Sequence, residues 1–300
     1  MDANANAGLL PLIEQHALLH GDLNPKAPRE LLERMNRTGE VGSIILGQMR
    51  ACLSQGELQG KTVLDFGCGQ GASTLMMAEE FPDTSFVGVE LEQAHVDLAL
   101  KLASAKGLAN VRFLCSPDGE HLPAELGGVS FDAITLSAVY EHLLPAERRM
   151  VLPLLWRSLK VGGILFLNQT PHSWFPFEHH STGLWGINYL PDGAAHWVAR
   201  KFGRMNKRIS NSPDWNVQLR GGIRGGDEHD VLGDITRGGG AATIVQPRYG
   251  ARDRAEYWLN GTSAKYRAAK ILISLVFRVC DRMWGVVPSM NMELALRKDR

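Results

Sequence analysis

Residues 62–73, TVLDFGCGQGAS, constrain the fold of this chain more than any other stretch. Val63 and Leu64 form an apolar run that predicts a buried strand. Asp65 ends the run, and Gly67, Gly69 and Gly71 follow it at alternate positions. A strand that turns tightly through glycines into a helix can point backbone N–H groups at a ligand. We therefore expect a cofactor site at the carboxyl end of this strand.

Short apolar strands alternate with helical segments from residue 61 to about 170, which predicts an α/β fold with a mostly parallel sheet covered by helices on both faces. We divide the chain into four segments. Residues 1–60 form a helical N-terminal cap and 61–170 form the cofactor-binding core. Residues 171–260 are an inserted segment with part of the core sheet, which we expect on the substrate side of the cofactor, and 261–300 are an amphipathic helix followed by an edge strand.

The composition is that of a globular enzyme, with 44% hydrophobic and 21% charged residues. Lys and Arg total 32, as do Asp and Glu, so no excess positive charge points to a nucleic-acid partner. The four cysteines form no CxxC pair, which argues against a zinc site or a disulfide framework, and no metal is predicted. The sequence begins without a signal-peptide pattern and contains no apolar run of membrane-spanning length, so we expect a cytoplasmic protein.

The glycine loop GCGQGA fits two cofactor classes. Gly67, Gly69 and Ala72 match the dinucleotide fingerprint G-x-G-x-x-G/A, but this short pattern also occurs in other nucleoside-binding folds. Glu90 closes the next predicted strand, where its carboxylate can accept hydrogen bonds from both hydroxyls of a ribose. A ribose belongs to either cofactor, so the loop and Glu90 leave both classes open.

Three later segments, PDGEHLP, FDAITLSAVYEHL and LKVGGILFL, follow in order along the chain. Together with the glycine loop they resemble the class I S-adenosylmethionine-dependent methyltransferases, and within them the type-11 group. The resemblance covers about residues 60–170. It implies a Rossmann-like class I methyltransferase fold, S-adenosylmethionine as cofactor and S-adenosylhomocysteine as product.

The resemblance also assigns roles along the cofactor. The loop would lie under the methionine end, Glu90 would bind the ribose and Leu91 would pack on the adenine. Asp118 and Gly119 would meet the adenine amino group and ring, and the backbone of Ser137 would face the methionine amine. The residues implied for cofactor binding are Asp65, Gly67, Gly69, Gly71, Glu90, Leu91, Asp118, Gly119 and Ser137.

Candidate bases follow the fourth and fifth predicted strands. An oxygen acceptor needs its proton removed before it can attack the methyl carbon. His142 follows the fourth strand, and the fifth leads into PHSWFPFEHHSTG, which contains His172, Glu178 and His179. Histidine and glutamate can take a proton at near-neutral pH. The same residues, with His180, could also be metal ligands, but adjacent histidines point in divergent directions and no matching carboxylate pair is evident, so we predict no metal there. They can instead hold an irregular loop together, and this interpretation and that of a base both stay open.

The predicted function is methyl transfer to a small-molecule, glycan or lipid-linked acceptor, at oxygen. The alternatives are a quinone or lipid methyltransferase at the inner membrane surface, a non-catalytic scaffold that keeps the fold, and a nicotinamide-dependent oxidoreductase. Residues 264–284 form a helix with a wide apolar face and a narrow, mostly basic stripe. That pattern is typical of a helix buried against the sheet or of one that lies on a membrane. We favour burial or packing as a lid, and keep peripheral membrane contact as the alternative.

Overall fold

Helices precede the first strand, as their sequence predicts. The computed structural model describes residues 7–20, 24, 26–54 and 56–299; parts of the predicted N-terminal cap, among them residues 1–6 and 21–23, lie outside the described residues. Prolines occupy the first turns of the first two helices, where a missing N–H costs no hydrogen bond. The three helices are α1 (Leu10–Leu19), α2 (Ala27–Arg34) and α3 (Glu40–Cys52).

Strands and helices then alternate through the region that carries the glycine loop. β1 pairs in parallel with β2 on one side and with β4 on the other, and β2 pairs in parallel with β3. Their apolar residues are buried because helices α4 and α5 pack on β2 and β3. The elements are β1 (Thr62–Phe66), α4 (Ala72–Glu80), β2 (Ser85–Glu90), α5 (Gln93–Ala105), β3 (Val111–Cys115) and β4 (Phe131–Ser137).

The described residues cluster into two compact units. The first comprises 7–137 and 158–166, and the second comprises 138–157 and 167–299. In the first unit, apolar residues of α1 and α2 join those of α4, α5 and β3 in one core, which includes Ile13, Leu31, Leu75 and Phe113. The four-segment division made from the sequence stays a prediction.

The second unit is richer in helices than the sequence predicts. No pattern in the sequence predicted the helices over residues 192–202, 207–210 and 215–220. After β4 the elements are α6 (Pro145–Ser158), β5 (Leu159–Pro171), β6 (Phe177–Glu178), β7 (Leu184–Trp185), α7 (Asp192–Phe202), α8 (Lys207–Ser210), α9 (Trp215–Arg220), α10 (Glu228–Arg237), β8 (Ala242–Ile244), α11 (Arg254–Gly261), α12 (Arg267–Trp284) and β9 (Asn291–Lys298). The first part of β5, through residue 166, belongs to the first unit.

The main sheet has seven strands in the order β3-β2-β1-β4-β5-β9-β8, with β9 antiparallel to β8. The expected α/β fold with a mostly parallel sheet is confirmed. The prediction that the C-terminal strand lies at an edge is wrong, because β9 lies between β5 and β8. Its alternation of apolar and polar residues comes from its two faces, since Met292, Leu294 and Leu296 are buried.

Helix α12 has the opposite orientation to the one that we favoured, with its polar stripe inward and its apolar face exposed. Its polar stripe points inward: Ser274 is buried and Arg278 forms an ion pair with Asp253. Phe277 also lies on this inner face, against Ala255, Val287 and Trp258. The wide apolar face is exposed instead, by 42–66% of each side chain for Ile271, Leu272, Ile273, Leu275, Val276, Val279, Met283 and Trp284. The favoured prediction that this apolar face is buried is therefore wrong. Among the helices that the structure describes, none is long and apolar enough to cross a membrane.

Candidate functional site

Asp65 is buried at the carboxyl end of β1 and is held there by three hydroxyl groups. Thr135 donates to Oδ1 at 2.8 Å, and Ser73 and Thr74 donate to Oδ2 at 2.7 and 2.6 Å. Burial raises the pKa of the Asp65 carboxyl, although these hydrogen bonds oppose the rise. The side chain thus ties β1 to β4 and to the first turn of α4. This contact network assigns Asp65 a role in shaping the loop, and direct contact with a cofactor stays a prediction.

The loop from Gly67 to Gly71 uses most of its backbone donors within the protein. The N–H groups of Gly67 and Cys68 both donate to the Val89 carbonyl, and that of Gly71 donates to Cys68. The N–H of Gly69 donates to Glu90 Oε2 at 2.8 Å. A pyrophosphate would need several of these N–H groups free, whereas S-adenosylmethionine carries no phosphate. The loop therefore suits S-adenosylmethionine better than a dinucleotide.

Glycine is required at Gly69 and at Gly71 for different physical reasons. A Cβ atom at Gly71 would lie 2.8 Å from the Ala99 Cβ and 3.0 Å from the Phe113 ring, so only glycine lets α4 approach α5 and β3 this closely. At Gly69, φ is +54°, a region that favours glycine. A Cβ there would meet no described atom within 4 Å beyond the neighbouring residues. Gly69 thus leaves open space on the side where a ligand can approach.

Glu90 lies at the end of β2 and organises both the loop and the turn that follows it. Oε2 accepts from Gly69, and Oε1 accepts from the backbone N–H groups of Leu91 and Glu92 at 2.8 and 3.3 Å. The carboxylate is partly exposed, and each oxygen has two lone pairs. Glu90 can therefore keep the loop contact and still accept a hydrogen bond from a ribose hydroxyl.

Leu91, Gly119 and Asp118 lie together beside Glu90. Leu91 is 54% exposed, which is unusual for leucine, and its methyl groups lie within 3.8 Å of where a Cβ of Gly119 would be. Asp118 Oδ1 accepts from the N–H groups of Glu120 and His121, and Oδ2 contacts His121 Nδ1 at 2.8 Å. The hydrogen bond from His121 lowers the pKa of Asp118, which keeps it an acceptor. An exposed apolar side chain next to a fixed carboxylate fits an adenine ring and its amino group.

Ser137 ends β4, the strand that pairs directly with β1. The next residue, Ala138, has φ of +55°, so the chain turns sharply at this point. All nine residues predicted to bind the cofactor belong to the first unit, and they gather at the carboxyl ends of β1, β2, β3 and β4. Their contact with a cofactor stays a prediction.

Glu178, one of the predicted bases, is buried and saturated with hydrogen bonds. Oε1 accepts from the backbone N–H groups of His180 and Ser181, and Oε2 accepts from both the N–H and the hydroxyl of Thr182. These bonds close the β6–β7 turn around the carboxylate. The side chain has little capacity left to take a proton, which corrects the interpretation of Glu178 as the leading base.

His172 is also fully engaged. Its Nδ1 accepts from the backbone N–H of Trp174 at 3.1 Å, so the proton is on Nε2, which contacts Glu228 Oε2 at 3.0 Å. Glu228 also pairs with the buried Arg254. Burial alone would raise the pKa of Glu228, but the hydrogen bond from His172 and the charge of Arg254 lower it to about 2. This buried network occupies both ring nitrogens of His172, and it corrects the interpretation of His172 as a base.

The two other predicted bases each keep one ring nitrogen available. His179 Nε2 lies 3.0 Å from Asn291 Oδ1 and donates to it, which leaves the lone pair on Nδ1. His142 Nδ1 lies 2.6 Å from the Arg220 carbonyl oxygen. A carbonyl can only accept, so His142 carries its proton on Nδ1 and has its lone pair on Nε2. His142, His172, Glu178 and His179 all belong to the second unit.

Two acidic residues that sequence analysis did not single out have unusual environments. Glu293 lies on β9, and burial raises its pKa to about 7 even though the Tyr257 hydroxyl and Arg254 favour its charged form. Glu141, beside His142, is completely buried, and its Oε1 accepts no hydrogen bond from the described part of the chain. The sequence offered one signal for each: a glutamate within an apolar alternation, and an acidic residue four positions after the end of a buried strand.

Comparison with known proteins agrees with this geometry. A family model described as a methyltransferase domain matches residues 63–163. A tRNA (guanine-N(7)-)-methyltransferase of Pseudomonas aeruginosa is 33% identical over 179 residues, which cover 54% of this chain and 71% of that protein. The chain belongs to the class I S-adenosylmethionine-dependent methyltransferases. S-adenosylmethionine is the methyl donor of this family, and the residues gathered around Glu90 fit it.

Other similarities cover less of the relative. A tRNA (guanine-N(7)-)-methyltransferase of Serratia proteamaculans is 31% identical over 125 residues, covering 40% of this methyltransferase and 51% of the relative. The chain thus spans about half the length of several curated relatives that it matches. Among solved structures, PKMT2 from Rickettsia typhi in complex with AdoHcy has a TM-score of 0.47 at 17% identity, covering 81% of this chain and 49% of that one.

Proposed function

We propose that this chain binds S-adenosylmethionine through its first unit and transfers the methyl group to a small-molecule, glycan or lipid-linked acceptor at oxygen. The observation that carries the proposal is the arrangement around Glu90. One carboxylate anchors the loop at Gly69 and remains partly exposed, beside the open side of that glycine. The exposed Leu91 and the fixed Asp118 carboxylate extend the same row of groups.

The cofactor supplies an activated methyl group on a positively charged sulfur. The residues of this chain would do the rest. Glu90 would orient the ribose, and Leu91 and Asp118 would bind the adenine, so that the reacting end is held in one position. Orientation of this kind can account for much of the rate of a bimolecular transfer. A base is needed as well if the acceptor is a hydroxyl group.

Of the four predicted bases, we propose His179 for this role. The hydrogen bond to Asn291 fixes its ring and leaves Nδ1 able to accept a proton. His172 and Glu178 already use their lone pairs in internal hydrogen bonds. His179 and His180 are adjacent in sequence but contact different residues. Substitution of one can therefore be compared with substitution of the other.

Helix α12 favours a second, more specific candidate: an acceptor taken from a membrane surface. Eight of its large apolar side chains are 42–66% exposed. Lys265 and Arg267 lie at its amino end, and Tyr266 and Trp284 mark its two ends with exposed aromatic rings. An apolar helix face with basic residues beside it and aromatic residues at its ends binds at the boundary of anionic lipid. A lipid-linked acceptor at the inner membrane surface would fit this surface.

The two curated relatives named above are tRNA (guanine-N(7)-)-methyltransferases, so tRNA is the alternative acceptor to test. We favour a smaller or lipid-linked acceptor because Lys and Arg do not exceed Asp and Glu in this chain, each pair totalling 32. A nucleic-acid substrate is normally bound by a surface with an excess of positive charge.

The test is methyl transfer from labelled S-adenosylmethionine into three fractions of the source cell: lipid extract, small molecules and tRNA. Label in the lipid or small-molecule fraction supports the proposal, and label in tRNA alone would overturn the acceptor class. His179→Ala should reduce turnover by roughly a hundred- to ten-thousand-fold without changing S-adenosylmethionine affinity. Unchanged turnover would remove His179 as the base, and a parallel loss of affinity would assign it a structural role.

A further inference from the structure

Three side chains of the second unit meet in a cluster that the proposed methyl transfer does not use as a set. Glu141 and His142 follow β4, and His180 belongs to the β6–β7 turn. One ligand atom from each lies within 4.8 Å of the other two, and Glu141 Oε1 lies 3.7 Å from His142 Nε2. Four atoms around a zinc ion at about 2.1 Å are roughly 3.4 Å apart, so a small inward shift would bring these three into coordination.

Glu141 contributes a buried carboxylate oxygen that accepts no hydrogen bond from the residues that the structure describes. Its side chain is 0% exposed. Thr170 donates to Oε2 at 2.7 Å, and Oε1 is the oxygen left without a donor among those residues. The 3.7 Å to His142 is too long for a hydrogen bond. A buried carboxylate oxygen without a partner is costly, and a bound cation is a recognised way to satisfy it.

His142 is oriented as a metal ligand would be. Its Nδ1–H donates to the Arg220 carbonyl oxygen at 2.6 Å, which fixes the ring and leaves the lone pair of Nε2 directed at the Glu141 side. Metal-bound histidines usually donate their other N–H to a carbonyl or a carboxylate in this way. The contact comes from α9, 78 residues further along the chain.

His180 reaches the cluster because Gly222 lacks a side chain. A Cβ at Gly222 would lie 2.6 Å from His180 Cδ2 and 3.3 Å from Glu141 Cγ. The imidazole rings of His142 and His180 lie 5.5 Å apart, centroid to centroid. The backbone therefore provides room for the two rings and the carboxylate to converge.

We propose that Glu141, His142 and His180 bind a divalent transition-metal ion such as Zn²⁺. Two imidazoles and one carboxylate favour such an ion over Mg²⁺ or Ca²⁺, which prefer oxygen ligands. Three protein ligands are the number typical of sites that keep one position for water or a substrate oxygen. In this assignment His142 is a metal ligand, and the base in methyl transfer comes from elsewhere.

The test uses the full chain, free of affinity tags and stripped with EDTA, titrated with Zn²⁺ and separately with Co²⁺. We expect one equivalent to bind, with Co²⁺ producing visible absorption bands of a low-symmetry site. His180→Ala should weaken binding by at least about a hundred-fold, and His179→Ala, at the neighbouring histidine, should leave it unchanged. No cofactor or acceptor is present, so the result is independent of the proposed function.

Glu141→Gln is the second variant, and its folding is checked by circular dichroism because the residue is buried. Zn²⁺ should raise the melting temperature of the wild type and of His179→Ala, but not that of His180→Ala or of folded Glu141→Gln. If Glu141→Gln does not fold, His180→Ala and His142→Ala decide the matter. Wild-type chain that binds neither ion, binds Mg²⁺ in preference, or binds Zn²⁺ as tightly after loss of His180 would overturn the proposal.

Discussion

The backbone N–H of Gly69 donates to the Glu90 carboxylate across 2.8 Å, so the glycine loop after β1 is tied to the end of β2 before any ligand is considered. The two residues are 21 positions apart in sequence. This bond gives Glu90 two functions, because the side chain that we propose for the ribose also sets the shape of the loop. Substitution of Glu90 should therefore affect cofactor affinity more than the loss of one ribose contact would.

Asp65→Ala should lower the stability of the protein. The variant would leave the hydroxyls of Ser73, Thr74 and Thr135 without their shared acceptor, two of them in fully buried positions. Each orphaned buried group costs about 1–3 kcal/mol, so we expect the two buried hydroxyls to cost roughly 2–6 kcal/mol in the free energy of unfolding, measured by urea denaturation. Asp97→Ala is the matched control, because Asp97 accepts from Gln93 on the surface of α5. Equal denaturation midpoints for the two variants would contradict the structural role of Asp65.

Glu293 should make stability depend on pH. Burial raises its pKa to about 7, above its ordinary value of 4.5. Between these values the unfolded chain releases the proton first, so stability falls as pH rises through this window and is level above it. Glu293→Gln removes the effect. Relative to the wild type, the variant should gain roughly 1–3 kcal/mol between pH 4.5 and 7.5, measured by denaturation at each pH. A difference that does not change with pH would show that Glu293 titrates normally.

The exposed face of α12 should bind lipid. Leu272 and Val276 are 66% and 59% exposed, and replacing both with Glu should abolish co-sedimentation with anionic vesicles. Burying each large apolar side chain contributes about 1.5–3 kcal/mol, so we expect at least about a hundred-fold weaker partitioning. Leu19→Glu, at an equally exposed leucine of α1, is the control and should bind like the wild type. Wild-type protein that stays in the supernatant would exclude the membrane interpretation.

The fold of the first unit follows from sequence because its signals are local. Val63, Leu64 and the glycines after them specify strand, turn and helix within a dozen residues, and a buried parallel strand carries its apolar run in one segment. Glu90 and Asp118 lie at strand ends, where a parallel sheet gathers its functional groups. Their positions could therefore be predicted without knowing any long-range contact.

The second unit defeats the same reasoning because its contacts are distant in sequence. His172 looks like a base until its contact with Glu228, 56 residues further along the chain, is known. Helix α12 has an amphipathic pattern, but no sequence rule tells which of its two faces is buried. A narrow polar stripe is ordinarily the solvated side, whereas here Ser274 and Arg278 face inward because Asp253 supplies a charge partner. In both cases the role of the side chain depends on which residue it contacts, and those contacts are set by the tertiary structure.

The measurement that tests the central claim most directly is calorimetric titration of S-adenosylmethionine and S-adenosylhomocysteine into the wild type and Glu90→Ala, with NAD as the comparison ligand. Losing one hydrogen bond to a charged group costs about 1.5–3 kcal/mol, or roughly ten- to a hundred-fold in affinity. Because Glu90→Ala also releases the loop at Gly69, we predict that both ligands bind the wild type and bind the variant at least that much more weakly. Circular dichroism confirms that the variant is folded. Binding of NAD in preference to S-adenosylhomocysteine, or equal affinity of S-adenosylmethionine for both proteins, would contradict the assignment of this site.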